Sequence, residues 1–180
     1  MERRELRWIG SALLVTSLAV SEAGATDLAS QAINLCRAAD GTEGAVRSRL
    51  LARSAAVAKA ALATDDRDPR AHFAAFCALG KTLEMDGLGL STVFTIRRVR
   101  RSIDRALELD PDYVDALVAK ARLLRRLPRQ WGGDRVEARR CLATALRLDP
   151  THGAARMYAV SEGMPVTSGE HASPLGTDSR

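Results

Sequence analysis

The chain has 180 residues and a formal net charge of +5, with 46% apolar residues but only 4% aromatics. That length suits one domain of ordinary size. Alanine carries much of the apolar share, which argues against a β-sandwich built on Val, Ile, Thr and aromatics and for close-packed helices.

At the N-terminus, Arg3, Arg4 and Arg7 form a basic segment, and Ile9–Val20 is an uncharged stretch of twelve residues. Small residues in an A-x-A pattern follow at Ala23–Ala25. This is the layout of a cleavable signal peptide over residues 1–25, with cleavage after Ala25. As a helix the stretch reaches about 18 Å, short of the roughly 30 Å of bilayer hydrocarbon, which weighs against an uncleaved membrane anchor. The Arg3-Arg4 pair lacks the rest of a twin-arginine signal, so general secretion is expected. The mature chain is then periplasmic or otherwise exported, with no stable membrane insertion.

Apolar periodicity predicts helices over about 27–39, 45–63 and 70–85, a loop at 86–91, and helices over 92–109 and 113–127. A loop at 128–133 and helices over 134–148 and 151–161 complete the series. Ile96, Val99, Ile103 and Ala106 form one stripe, Leu117, Ala121 and Leu124 a second, and Ala138, Leu142 and Ala145 a third. Asp110-Pro111 and Asp149-Pro150 each close a helix, because the residue before proline avoids the α region. In "LPRQWGGDRVEARR" (Leu127–Arg140), Pro128 stops one helix, the glycines permit reversal, and Asp134 caps the next with Glu137 placed as in a capping box. The segment 164–180 is rich in Ser, Pro, Gly and Thr and is expected to be disordered.

Cys36, Cys77 and Cys141 are scattered singly through helical stretches, which is neither a disulfide framework nor a metal-binding spacing. They read as small buried hydrophobes, with one Cys36–Cys77 disulfide as the alternative. Charge is uneven. Ser91–Pro150 holds fourteen Arg/Lys against eight Asp/Glu, whereas Thr26–Leu90 holds eight of each. A basic second half attracts acidic proteins or anionic surfaces, and export argues against nucleic acid.

Motifs for chemistry are weak. "GKT" at Gly80–Thr82 lacks the upstream glycine and strand of a phosphate loop, and Gly87–Thr92 lacks the third glycine and strand of a dinucleotide fingerprint. Asp65, Asp66 and Asp68 fail the calcium-loop pattern, since Ala71 and Cys77 stand where Gly and Glu are needed. His72 and His152 each follow a proline in the first turn of a helix, suggesting equivalent structural positions. No catalytic residue, metal site or cofactor is expected, and the chain reads as no enzyme.

One organisation is more specific. "RALELDPDYVDALVAKARLL" (Arg105–Leu124) and "TALRLDPTHGAARMYAV" (Thr144–Val160) share the frame A-L-x-L-D-P, with Pro111 and Pro150 39 residues apart. A degraded copy around Pro69 lies 42 residues before Pro111. The pattern resembles the tetratricopeptide repeat (TPR), a helix-turn-helix unit of about 34 residues. It implies an all-α fold, antiparallel helix pairs stacked as a short TPR-like α-solenoid over residues 26–163. It also implies a concave groove in which Val118, Arg122, Arg125 and Arg126 would meet a partner, together with Asp115. Phe73 and Phe76 would do so one repeat earlier, or else lie in the core. Arg122, Arg125 and Arg126 together could clamp an acidic segment or a carboxylate; alternatively they are a solvated face.

The expected function is that of an exported, non-enzymatic adaptor binding a protein or peptide on its concave face. The alternative is a transporter- or envelope-associated component that holds a small ligand or docks a solute-binding protein. The lengthened loop around Pro128 and Gly132-Gly133 is similar to one in TPR proteins associated with periplasmic TRAP-type transporters.

Overall fold

The computed structural model describes residues 16–86 and 92–166, and over these the protein is all-α. Among the described residues there are seven α-helices and no strand: α1 (Thr16–Ala38), α2 (Gly44–Thr64), α3 (Pro69–Asp86), α4 (Thr92–Leu109), α5 (Val114–Arg126), α6 (Arg135–Leu148) and α7 (Gly153–Ser161). Short 3₁₀ turns at Ala39–Gly41 and Arg129–Trp131 punctuate the series. These bounds fall within a few residues of those expected, except that α1 begins at Thr16 instead of near 27. The basic start of the expected signal peptide, the loop 87–91 with its glycine motif, and the tail from 167 lie outside the described residues. None of the described helices is long and apolar enough to cross a membrane. The chain packs as two compact units, Met1–Asp110 and Pro111–Arg180.

In the first unit small residues set the packing. Ala29 of α1 meets Ala61 of α2, and nearer the other end Cys36 meets Leu51, so α1 and α2 run antiparallel. Between these contacts the fully buried Ser54 donates its hydroxyl to the Ala32 carbonyl at 2.8 Å. Such a bond adds about 1 kcal/mol net and satisfies a polar group that would otherwise be costly to bury. Helix α3 lies alongside both, parallel to α1, as two cross-links show. Arg70 donates to the Ser30 hydroxyl at 2.6 Å, and Lys81 donates to Asp40 at 2.5 Å and to the Cys36 carbonyl at 2.8 Å. Helix α4 packs on α3 with Ile96, Val99, Ile103 and Ala106 buried, and Arg97, Arg98, Arg101 and Arg105 are exposed.

The α2–α3 turn shows what the acidic cluster does. Asp65 Oδ1 accepts from the Arg67 amide at 2.8 Å, and Asp68 Oδ1 accepts from the Arg70 amide at 2.8 Å. Pro69 opens α3, where its missing N–H is no loss. "GKT" lies inside α3, with Lys81 held as above and the Thr82 hydroxyl donating to the Ala78 carbonyl.

In the second unit α6 packs against α5 and α7. Ala116, Leu117, Ala121 and Leu124 are buried on α5, Ala138, Cys141, Leu142 and Ala145 on α6, and Ala155 and Ala159 on α7. The α5–α6 turn uses its two glycines differently. Gly132 adopts φ +87°, the left-handed region that costs an L residue about 1–2 kcal/mol. Gly133 is required by space, since a Cβ there would lie 1.8 Å from the Leu127 carbonyl oxygen. Asp134 caps α6 as expected, accepting from the Val136 and Glu137 amides at 2.8 and 3.0 Å. The reciprocal half of a capping box is absent, because the Asp134 amide bonds the Leu124 carbonyl at 3.0 Å. Glu137 instead approaches Arg140 at 3.8 Å.

The two histidines are not equivalent. His72 lies inside the first turn of α3, its Nε2 2.8 Å from the Asp66 carbonyl oxygen, whereas His152 is itself the cap of α7. Pro150 stands outside the helix that follows it, while Pro69 begins its own.

Two glycine substitutions should therefore separate. Gly133→Ala is expected to lower stability by about 2–4 kcal/mol, because backbone has to move to clear the new methyl. In the middle of α3, a Cβ on Gly80 would sit an ordinary 4.0 Å from Val99 Cγ1. Gly80→Ala is expected to raise stability by about 0.5–1 kcal/mol. Urea denaturation of both variants checks this, and equal effects would contradict it.

An arginine-lined groove on the second unit

The second unit carries a groove of about 610 Å³ whose walls are built by α6, the last turn of α5 and the chain just after α7. Arg125, Arg135, Arg139 and Arg140 line it together with Val136, Ala143, Glu162 and Met164. Four arginines thus face a single carboxylate. Arg139 and Arg140 follow Arg135 by four and five residues on α6, and all three are exposed while Ala138, Leu142 and Ala145 are buried. Val136 is 62% exposed and gives the cationic surface an apolar spot.

Arg125 and Glu162 fix the wall between α5 and the end of α7. Their side chains form an ion pair in which Glu162 is only 15% exposed, and the Arg125 guanidinium also lies 5.7 Å from the centre of the Tyr158 ring. Both contacts favour arginine over lysine, because a flat guanidinium can stack and pair at once. The turn that follows α7 is closed by backbone bonds, with the Met164 amide donating to the Ala159 carbonyl at 2.9 Å. This places Met164 on the groove.

A second link ties α5 to α7. His152 Nδ1 accepts from the Ala155 amide at 3.2 Å, so the ring proton belongs on Nε2, which faces Asp115 Oδ1 at 3.2 Å. Both ring nitrogens are committed, which leaves this histidine–aspartate pair holding helices in place.

The residues expected to meet a partner are dispersed. Of the three arginines expected to clamp together, Arg125 alone lines the groove; Arg122 and Arg126 are exposed elsewhere on α5. Val118 is interior at 4% exposure. Phe73 and Phe76 are interior too, at 6% and 9%, and stack on each other with ring centres 6.2 Å apart. Their apolar surface is spent on α3 packing, which fills the core alternative raised for them. Arg135, Arg139 and Arg140 were not singled out beforehand. Arg140 lies opposite the alanine stripe, which was a usable signal, but Arg135 shares the side of Leu142, and Glu162 and Met164 reach the groove through the fold alone.

No group of three or more His, Cys, Asp or Glu residues that could hold a metal ion occurs among the described residues. No protein-family model matches this chain, and no curated protein or solved structure matches it either.

The caps that position this unit respond to acid. The Glu137 amide, then that of Val136, holds Asp134 below the ordinary carboxylate value, and the Thr151 hydroxyl and amide do the same for Asp149. A folded pKa below the unfolded one contributes stability that is whole above the unfolded value and lost as pH falls through the folded one. Asp134→Asn keeps an acceptor oxygen but removes the charge. Its denaturation midpoint should start lower at neutral pH and fall less steeply than wild type towards strong acid. Parallel curves for the two proteins would show that the cap charge contributes nothing.

Arg125→Ala is expected to destabilise the fold by about 1–2 kcal/mol, since it leaves a largely buried Glu162 unpaired and uncovers Tyr158. Thermal or urea unfolding checks this. An unchanged midpoint would assign Arg125 to the surface alone.

Proposed function

We propose that the protein is an exported, non-enzymatic helical-repeat adaptor of TPR-like build that binds an acidic or carboxylate-bearing peptide segment along the arginine-lined groove. The observation that carries this reading is the groove's lining of four arginines against one carboxylate, beside exposed Val136 and half-buried Met164. Guanidinium groups bind carboxylates through paired, charge-assisted hydrogen bonds, and a neighbouring apolar spot accepts an interleaved side chain. Among the described residues, the guanidinium groups of Arg135 and Arg139 engage no other side chain. Their charge is therefore open to a ligand.

The repeat reading draws support from adjacency. Helices α1 and α2, α3 and α4, and α5 and α6 pack as neighbours in sequence, and α1 also lies along α3. Stacked helix pairs produce that pattern of contacts within the first unit. The groove departs from the concave face expected at first, since it is built mainly on the second helix of its pair.

Fluorescence anisotropy with a labelled oligoglutamate peptide tests the proposal. Binding should weaken with added salt and exceed that of a Gly-Ser peptide of equal length. Arg135→Glu with Arg139→Glu should weaken it at least about tenfold, or about 1.4 kcal/mol, with the thermal midpoint unchanged. Arg122→Ala with Arg126→Ala should change it less than about threefold. Equal loss from both pairs, or no preference for oligoglutamate, would overturn the groove as the binding site.

A further inference from the structure

Two thiols meet where α1 packs on α3. The parallel register of these helices is set by Arg70 on Ser30 near one end and Lys81 on Asp40 near the other. Cys36 lies one turn before Asp40, and Cys77 one turn before Lys81, so the same register brings the cysteines face to face. Cys77 packs directly on the buried cluster of Cys36, Ala39 and Leu51. All three cysteines are reduced, Cys36 being 1% exposed and Cys77 half-buried. Lys81 brings its ammonium to the Cys36 carbonyl at 2.8 Å, so a positive charge stands beside the pair.

The two thiols are unequal. A hydrogen bond donated by the Cys77 thiol favours the ionised form of Cys36, and Lys81 adds to this, so Cys36 is lowered from its ordinary value. The same bond holds the proton on Cys77, which with burial is raised well above its own. A nucleophile and a resolving thiol in contact form the arrangement from which disulfide exchange proceeds.

We propose that Cys36 and Cys77 form a thiol–disulfide exchange site, which a small-molecule disulfide oxidises to a covalent clasp between α1 and α3. The Cys36 thiolate attacks one sulfur of the oxidant R–S–S–R, forming a mixed disulfide as the S–S bond breaks and RS⁻ leaves. That RS⁻ takes the Cys77 proton, and the Cys77 thiolate attacks the Cys36 sulfur, expelling the second RS⁻, which solvent protonates. Two protein thiols are oxidised and one R–S–S–R is reduced to two RSH. The low exposure of Cys36 makes local opening at this end of α1 the slow step. This inference is independent of the arginine groove.

The test uses the full chain incubated with oxidised glutathione, followed by intact-mass analysis and tryptic mapping under non-reducing conditions. The expected product has lost two hydrogens, carries no glutathione, and yields one Cys36–Cys77 linked peptide. Cys141→Ser should give the same link, and Cys77→Ser should stop at a glutathione adduct. The thermal midpoint of the oxidised chain should rise by roughly 5–15 °C and return on reduction. The reduced wild-type chain is the reference, so no variant has to fold for the comparison to stand. Adducts at Cys141 with no Cys36–Cys77 link in the native chain would overturn the proposal. A link that forms only in denatured chain would overturn it as well.

Discussion

Close approach between helix backbones is the constraint from which the rest of the structure follows. With aromatics scarce, the core is lined by residues such as Ala29, Ala32, Ala61 and Ala71 in the first unit and Ala121, Ala138, Ala145, Ala155 and Ala159 in the second. An alanine buries little apolar area, so its contribution depends on the neighbouring helix coming near. Close approach makes a polar group without a partner costly to bury. Ser54, fully buried, accordingly spends its hydroxyl on the Ala32 carbonyl of the facing helix. Most arginines of α4, α5 and α6 are exposed, while the long charged chains that do join helices, Arg70 and Lys81, tie α3 to α1.

The α5–α6 turn obeys the same constraint at its tightest point. For α6 to fold back on α5, Gly133 passes against the Leu127 carbonyl and the Asp134 amide reaches the Leu124 carbonyl at 3.0 Å. The loop is thus bonded to the helix it has just left. Asp134 then has its side chain free to cap α6, and α6 presents Arg135, Arg139 and Arg140 on its outer face. A turn without these two glycines would start α6 in a different direction and separate those arginines from Arg125. The groove is a consequence of how the turn is made.

Much of the helical layout was legible from spacing alone, because burial on a helix repeats at three and four residues. The stripes Ile96–Ala106, Leu117–Leu124 and Ala138–Ala145 are interior at every position named in advance. Facing was harder. Val118 follows Leu117 directly and was expected to face a partner-binding groove, yet α5 is covered widely enough to bury both. The candidate site was legible only in part. Arg125 was identified from its helix, but its ion pair with Glu162 and its stacking on Tyr158 join residues far apart in sequence. Periodicity within one helix carries no information about such partners. The capping box failed for a related reason: Glu137 has the right spacing, but the amide it would have engaged is taken by Leu124.

Lys81 illustrates how one long-range link organises several neighbours. Read along the sequence it closes a fragment resembling a phosphate loop, and its meaning there is weak. In the fold it spans to α1, neutralises Asp40 and caps the Cys36 carbonyl near the end of that helix. Those contacts hold α3 in register with α1, and that register sets Cys77 against Cys36. Moving α3 by one residue along α1 would carry each side chain about 100° around the helix and part the thiols. The pairing of two cysteines far apart in the chain thus rests on a lysine four residues from one of them. An ammonium at the end of α1 also opposes the partial negative charge of the helix terminus, so the link stabilises the element it locates.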